Sequence, residues 1–496
     1  MVRRISTTDP PIPLSEIEIT KTKPILQCGN KTRFIIALQG SLFLAALMGN
    51  ITCWNAALIK VAEIESSPLY EDYLNGTKVD WTDDNLPFED MRVDLSPIQI
   101  SLLFAASFAG SALFVLPATF VMKKIGTYRT QVILGSITTA AAALTPWATV
   151  TNFNLLLVLR LVQGMCQCNP YPVIGAIVTT WAAPKEKGIF VALLTGYTQL
   201  CAVITTPIAS YLANHYGWPS VFYFQAAFCG FFLVLWVLNY RDDPETHWSV
   251  SEKEFRKIST GKMSAVELAN VKVPFYRVLT KMSVWACIIG AICYIYAAQF
   301  TISFLVMYLV WVMKWPITIA GSLSALPLVV QFSLQFCTGL LSDKITFINE
   351  HTKIRLFCTL TFTGTGIGLI ILTFIPSNNT LLSTIITVIS LSFLGFNAGG
   401  FPKSAVLIST RKPASVMGFV QAALTFGLLT GSFIVPILTP DRSFPEYSNL
   451  FRIYGALLIA ANIFFVIFCR AETENFAYGE EISEITNVRV DSVARK

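Results

Sequence analysis

The chain has 496 residues, of which 54% are hydrophobic and only 13% charged, about half the charge of a typical soluble domain at roughly 25%. Its apolar residues gather into runs long enough to cross a bilayer core of about 30 Å, which excludes a soluble globular protein and makes the lipid bilayer its first partner. The net charge of +6 follows from where the basic residues flank these runs and does not point to nucleic acid.

Residues 1–32 form a polar tail with Arg3, Arg4, Lys21, Lys23 and Lys31, and lack the short apolar core of a cleavable signal peptide. Apolar runs follow at 33–58, 99–122, 131–149, 154–181, 189–213 and 219–240, which predicts a first six-helix half over 33–240. Its long loop, 59–98, is acidic and contains the sequon Asn75-Gly76-Thr77, so Asn75 is a candidate glycosylation site if the loop faces outward. Residues 241–281 are polar and contain SEKEFRKI at helical spacing after the breaker Pro244. This central loop reads as an amphipathic cytoplasmic tether, either solvated or touching the membrane surface where Phe255 adjoins Arg256 and Lys257.

A second six-helix half is predicted over 282–470, with runs at 283–311, 318–341, 355–375, 382–409, 414–437 and 451–470, and a tail at 471–496. The predicted fold is an all-α membrane protein of twelve transmembrane helices in two six-helix halves. Of 36 Lys and Arg, 29 fall on one side and six on the other, which orients both termini to the cytoplasm. Of eleven cysteines only Cys28 lies outside the runs, so small core residues are expected and no disulfide framework.

Arg160, in LLLVLRLVQGMCQ, is the remaining basic residue and lies inside a run. A central Arg facing lipid costs about 2.5–3.5 kcal/mol by insertion scales, so it should face the bundle interior. Two roles are open there: a forked guanidinium capturing a carboxylate, sulfonate or phosphate oxygen, or a tie between helices through backbone carbonyls. Gln163 and Gln167 follow three and seven residues later near the same helix face, as ligand contacts or interhelical hydrogen bonds. Lys403 is a second cation within a run, expected to snorkel toward the headgroups in preference to a cavity. Gly399, Gly400 and Pro402 mark a bend or a close contact. With no nucleotide-binding glycine loop, no metal-spaced His/Cys set and no acid–base pair inside the runs, an enzyme, a cofactor and ATP-driven pumping are not expected.

These stretches resemble the major facilitator superfamily, whose members carry a Gly-x-Leu-x-Asp-Arg-x-Gly type turn between spans two and three. Here Thr119 to Gly126 keeps the final Gly and a basic residue, with Lys123 at the Asp position, while the second-half turn has Gly339, Leu341, Asp343 and Lys344. By that resemblance Gly126, Gly339, Asp343 and Lys344 are gating residues. The chain also resembles, along nearly its whole length, the anion–cation symporter group of sialin, vesicular glutamate transporters and sodium/phosphate cotransporters (solute carrier family seventeen). The likeness is carried by Arg160-Leu161-Val162-Gln163-Gly164 with Tyr171-Pro172, by Gly217-Trp218-Pro219-Ser220-Val221-Phe222-Tyr223, and by Asp242-Asp243-Pro244 with His247 and Ser251-Glu252-Lys253-Glu254.

That resemblance implies alternating access of a small anionic solute at a site between the halves, with Arg160, Gln163, Gln167, Asn55, Tyr294 and Gln299 as candidate contacts. The chain departs from the family where it normally has a Glu, now Gln167, which an amide cannot replace as a proton carrier. A span-one basic residue is replaced by the polar set Asn50, Thr52 and Asn55, and a span-seven Arg by Tyr294. The expected function is secondary active or facilitative transport of a small organic or inorganic anion. Coupling to sodium or protons is left open, and so is the choice between plasma membrane and endosomal or vesicular membrane. The alternative is a receptor-like member of the fold that binds without transporting.

Overall fold

The structure, a computed structural model, describes residues 30–61, 86–259, 278–345, 347–375, 379–409 and 413–472, with isolated positions between 67 and 82. Asn75 and residues 1–29, 260–277 and 473–496 lie outside the described residues. Among the described residues the secondary structure is helical throughout. A bilayer core offers no water to backbone N–H and C=O groups, and a helix satisfies both within one segment.

The helices run α1 (Thr32–Val61), α2 (Pro97–Ile125), α3 (Thr127–Thr151), α4 (Phe153–Cys166), α5 (Pro170–Trp181), α6 (Lys187–Thr195), α7 (Tyr197–His215), α8 (Trp218–Asn239) and α9 (Glu252–Ser259). They continue with α10 (Met282–Gln299), α11 (Leu305–Trp311), α12 (Ile317–Lys344), α13 (Glu350–Leu372), α14 (Thr380–Ser392), α15 (Phe401–Ile408), α16 (Pro413–Leu438) and α17 (Phe444–Phe468). Polar residues at the run boundaries start several of them. Ser96 and Gln99 form a reciprocal capping box at α2, Ser443 and Glu446 another at α17, and Asn152 accepts from the Asn154 N–H at α4.

Among the described residues eleven segments are long and apolar enough to cross a membrane. The expected fourth span differs: it is reached by two helices in succession, α4 with 14 residues and α5 with 12, each short of the roughly 20 a crossing needs. The break at 167–169 precedes Pro170, which has no N–H to continue α4 and opens α5 at its first position. Span seven is interrupted by a π turn at Phe300–Phe304 between α10 and α11. In span ten the irregular stretch begins before the expected Gly399-Gly400-Pro402 point, as a 3-10 segment at Phe393–Gly399. Gly399 is there for contact, since a Cβ would meet the Phe357 ring at 2.5 Å.

Within 32–239, α1 lies against α7 and α8, α2 against α4, and α3 against α4 and α8. Within 282–468, α13 lies against α17, and α10 against α16 and α17. The two sets meet where α12 touches α6 and α7, and where α16 touches α2 and α5.

The described part of the central segment is neither fully solvated nor free of the bundle along its helix 252–259. Glu254 and Ile258 of α9 are 1% and 2% exposed. The Glu254 carboxylate accepts from the Thr32 and Arg33 backbone N–H groups at 3.2 and 3.0 Å and from Arg33 Nη1 at 3.1 Å. Two otherwise orphaned donors at the start of α1 are thereby satisfied by the linker. Arg33 also forks onto Glu186, at 2.8 and 3.0 Å, and Lys257 joins the same carboxylate at 2.7 Å. The helix is clamped to the bundle because its inner face carries an acid matched to a helix N-terminus.

Candidate functional site

Arg160 lies on α4 with no exposed surface. Both Nη1 and Nη2 donate to the Ile51 carbonyl of α1 at 3.3 Å, and Nη1 donates to Gln163 Oε1 at 2.9 Å. Gln163 Nε2 passes the chain on to Thr145 Oγ1 of α3 at 2.9 Å. The guanidinium lies over the Trp54 ring, 5.4 Å from its centroid. Arg160 therefore ties α1, α3 and α4 together, and its Nε is the one donor without a partner. Gln167, one turn further, caps α4 and keeps a buried Nε2 without a partner. Asn55 is exposed, one turn beyond Ile51 on α1.

On the facing set, Tyr294 of α10 is 8% exposed. It packs edge-on against Phe401 at 5.8 Å and interacts with the side chains of Asn397 and Gln199. Tyr171 of α5 and Tyr197 of α7, each 6% exposed, both interact with it. These three tyrosines with Asn397 and Gln199 bring both sets of helices to one polar region. Of these only Tyr294 is a contact expected from the sequence; Tyr171 stands in the Tyr171-Pro172 pair, while Tyr197 and Asn397 carry no distinguishing pattern. Gln299 does not belong to this region: its Nε2 is held by the Leu428 carbonyl at 3.0 Å and Ser432 Oγ at 2.7 Å on α16.

Hydrogen bonds between the two sets fall in the middle of the bundle and at its basic end. Tyr171 N donates to Gln421 Oε1 at 3.2 Å, Ser111 and Thr425 share a bond of 3.4 Å, and Gln335 reaches Thr195 at 2.6 Å. At the basic end Asp343 accepts from Gly188 N at 2.9 Å and Ile189 N at 2.7 Å, a carboxylate set on first-turn N–H groups of α6. Gly339 allows this approach, since a Cβ there would come within 3.0 Å of the Gly188 carbonyl oxygen. Lys344 is exposed at the last position of α12 and takes no part in the contact.

Lys403 corrects an expectation. It does not snorkel: 3% exposed, it donates to Ser342 Oγ at 2.7 Å and pairs with Glu350 at 2.9 Å and Asp343 at 3.7 Å. Lys353 completes the network on Glu350 at 2.5 Å. Two carboxylates sixty and fifty-three residues away in sequence make burial of this ammonium tolerable.

The first-half turn is built otherwise. Gly126 has φ +89°, a conformation that disfavours any Cβ, and a Cβ would also strike Asp242 Oδ2. Asp242 Oδ1 accepts from Tyr128 N at 2.9 Å, capping α3. Burial pushes the Asp242 carboxyl above its ordinary range, opposed by the Tyr128 and Thr127 N–H groups and by Arg129. Lys123, at the motif's acidic position, is exposed.

A family model described as the Major Facilitator Superfamily matches residues 41–436, and the chain belongs to that superfamily. Among curated proteins it is similar to vesicular glutamate transporter 3 of Danio rerio, 25% identical over 477 residues covering 94% of this chain and 78% of that one. It is also similar to sialin of Homo sapiens, 24% identical over 382 residues covering 76% and 77%. Among solved structures it superposes on the proton:xylose symporter XylE with a TM-score of 0.63 at 14% identity, covering 90% of this chain and 97% of that one. The transporter FucP in the outward conformation gives a TM-score of 0.59 at 15% identity, covering 88% and 100%. The protein is thus a multi-pass membrane transporter with the helical fold of its superfamily, as expected, and resembles the sialin and vesicular glutamate transporter group.

Proposed function

We propose that the protein carries a small organic or inorganic anion by alternating access. The observation that supports this is Arg160, a fully buried guanidinium that forms no ion pair with a carboxylate among the described residues. A charge so placed is costly to leave uncompensated, and an anion meeting the open Nε would compensate it. Vesicular glutamate transporter 3 is named for an anionic solute. Gln167, Tyr294 and Asn55 are proposed to orient the solute; Gln163 and Gln299 act by bracing the helices that carry the site. Asp343 and Gly339 gate the basic end, with Lys344 at its rim and Gly126 shaping the opposite turn.

With an amide at Gln167, the driving force is proposed to be the solute gradient and membrane potential, with no proton exchanged at that residue. The layout proposed is the one read from charge: a cytoplasmic tail 1–32, helical halves 33–240 and 282–470 joined by a cytoplasmic segment 241–281, and a cytoplasmic tail 471–496. The membrane is proposed to be plasma, endosomal or vesicular, with Asn75 glycosylated on the far side. In this orientation the contacts at the basic end describe a carrier closed toward the cytoplasm.

The test is uptake into proteoliposomes against a panel of anions, varying voltage, pH gradient and sodium gradient separately. Arg160→Gln should lower anion uptake roughly 10–100-fold, the worth of a hydrogen bond to a charged group at about 1.5–3 kcal/mol. Arg160→Lys keeps the charge and should fall between the two, with thermal unfolding of both variants checked. Undiminished uptake by a correctly inserted Arg160→Gln protein would overturn the reading.

A further inference from the structure

A groove of about 250 Å³ opens on the outer surface of the bundle between α2, α3 and α4. Its lining is apolar: Phe114, Ala118 and Val121 on α2, Ile133 and Ile137 on α3, and Met165 on α4 are among the residues that form it. Val121, Ile133 and Ile137, which line it, are exposed. The groove ends at the basic face, where Ile125 and Thr130 close it. Thr130 presents no free hydroxyl there, because its Oγ1 donates to the Gly126 carbonyl at 2.8 Å.

The residues just before these two closing positions are Lys124 and Arg129, one on each flanking helix and both exposed. Lys124 Nζ rests over the Phe120 ring of the same helix, 4.7 Å from its centroid. Asp242 attracts Arg129, yet its carboxylate is already engaged by the Tyr128 N–H at 2.9 Å. An apolar slot whose two closing positions are each preceded by an exposed cation matches a molecule with a long hydrocarbon tail and an anionic head.

We propose that this groove holds one acyl chain of an anionic glycerophospholipid of the adjoining leaflet, with the phosphate seated between Lys124 and Arg129. The occupant bridges the turn at Gly126 and steadies α2 and α3 against each other. This assignment is independent of the transported solute, and its test does not measure transport.

The full-length protein in neutral detergent is titrated with phosphatidylserine, with phosphatidylcholine of the same chains, and with glycerophosphoserine, following thermal unfolding and intact-complex mass spectrometry. The expected result is preferential retention of phosphatidylserine, weaker phosphatidylcholine and no effect of the chainless headgroup. Lys124→Gln and Arg129→Gln should each reduce the preference about fivefold, the worth of one basic residue near a charged membrane surface. Val162→Phe, which fills the groove floor, should weaken both lipids equally. Lys124→Arg should keep the preference. Equal retention of both lipids, an equal effect of glycerophosphoserine, or a preference that survives the double Lys124→Gln/Arg129→Gln change would overturn the proposal.

Discussion

The turns between α2 and α3 and between α12 and α13 occupy corresponding places in the two sets of helices, but they are built on opposite rules. At the second, Asp343 leaves its own set and accepts two N–H groups from the start of α6. At the first, the acid arrives from the same set, as Asp242 on the start of α3, and the motif position carries exposed Lys123. A contact across sets has to break when they move apart, whereas a contact within a set travels with it. Under the proposed alternating access the second turn would act as a latch and the first as a brace, although the sequence motif treats them as copies.

Three changes probe that difference. The largest effect is expected from Asp343→Asn, which removes a charge from the α6 donors and leaves Lys403 with Glu350 alone. A loss of roughly 1.5–3 kcal/mol from the closed form is expected, read as increased labelling of cysteines introduced near Gly188 from the basic side. Unchanged labelling would remove the latch. Next, Gly126→Ala should cost about 1–3 kcal/mol of stability through its positive φ without changing that labelling; a shift in labelling would make the first turn a latch as well. The smallest effect is expected from Asp242→Ala, which loses a helix cap worth about 1 kcal/mol. The Asp242 carboxyl is raised by burial, so the folded protein holds its proton more tightly than the unfolded chain. That contribution is complete below the ordinary carboxylate pKa of about 4 and fades as pH rises through the raised value. Unfolding midpoints measured upward from pH 4 should fall less steeply in Asp242→Ala than in the parent.

The spans were legible because a bilayer permits few solutions, and runs of apolar residues report them within a few positions. The interruptions were legible only where proline or glycine marks them. The Gly399-Gly400-Pro402 point was legible in advance, whereas the break after α4 falls inside the run read as continuous over 154–181, although Pro170 stands at it, and the π turn at Phe300–Phe304 contains neither residue. Arg160 stood out as a lone charge, and one of its two possible roles named the kind of partner it has. The partner itself, the Ile51 carbonyl, could not be read, since every residue carries the same carbonyl. Lys403 was misjudged for a related reason: its carboxylates come from α12 and α13, and only tertiary structure brings them to it. Span-one polarity suggested Asn55, whereas Asn50 and not Asn55 is the buried one, in reach of Thr138 Oγ1 at 3.5 Å.

The seat of α9 also bears on how this protein can be cut or tagged. Polarity alone would recommend residues 241–259 as a place to insert a reporter or divide the chain for co-expression. Glu254, however, is the cap of α1, supplied from more than two hundred residues downstream. A fragment ending at Asn239 would therefore leave the first helix with two bare donors and Arg33 with one of its two carboxylates. A division placed beyond Ser259 keeps that closure within a single piece.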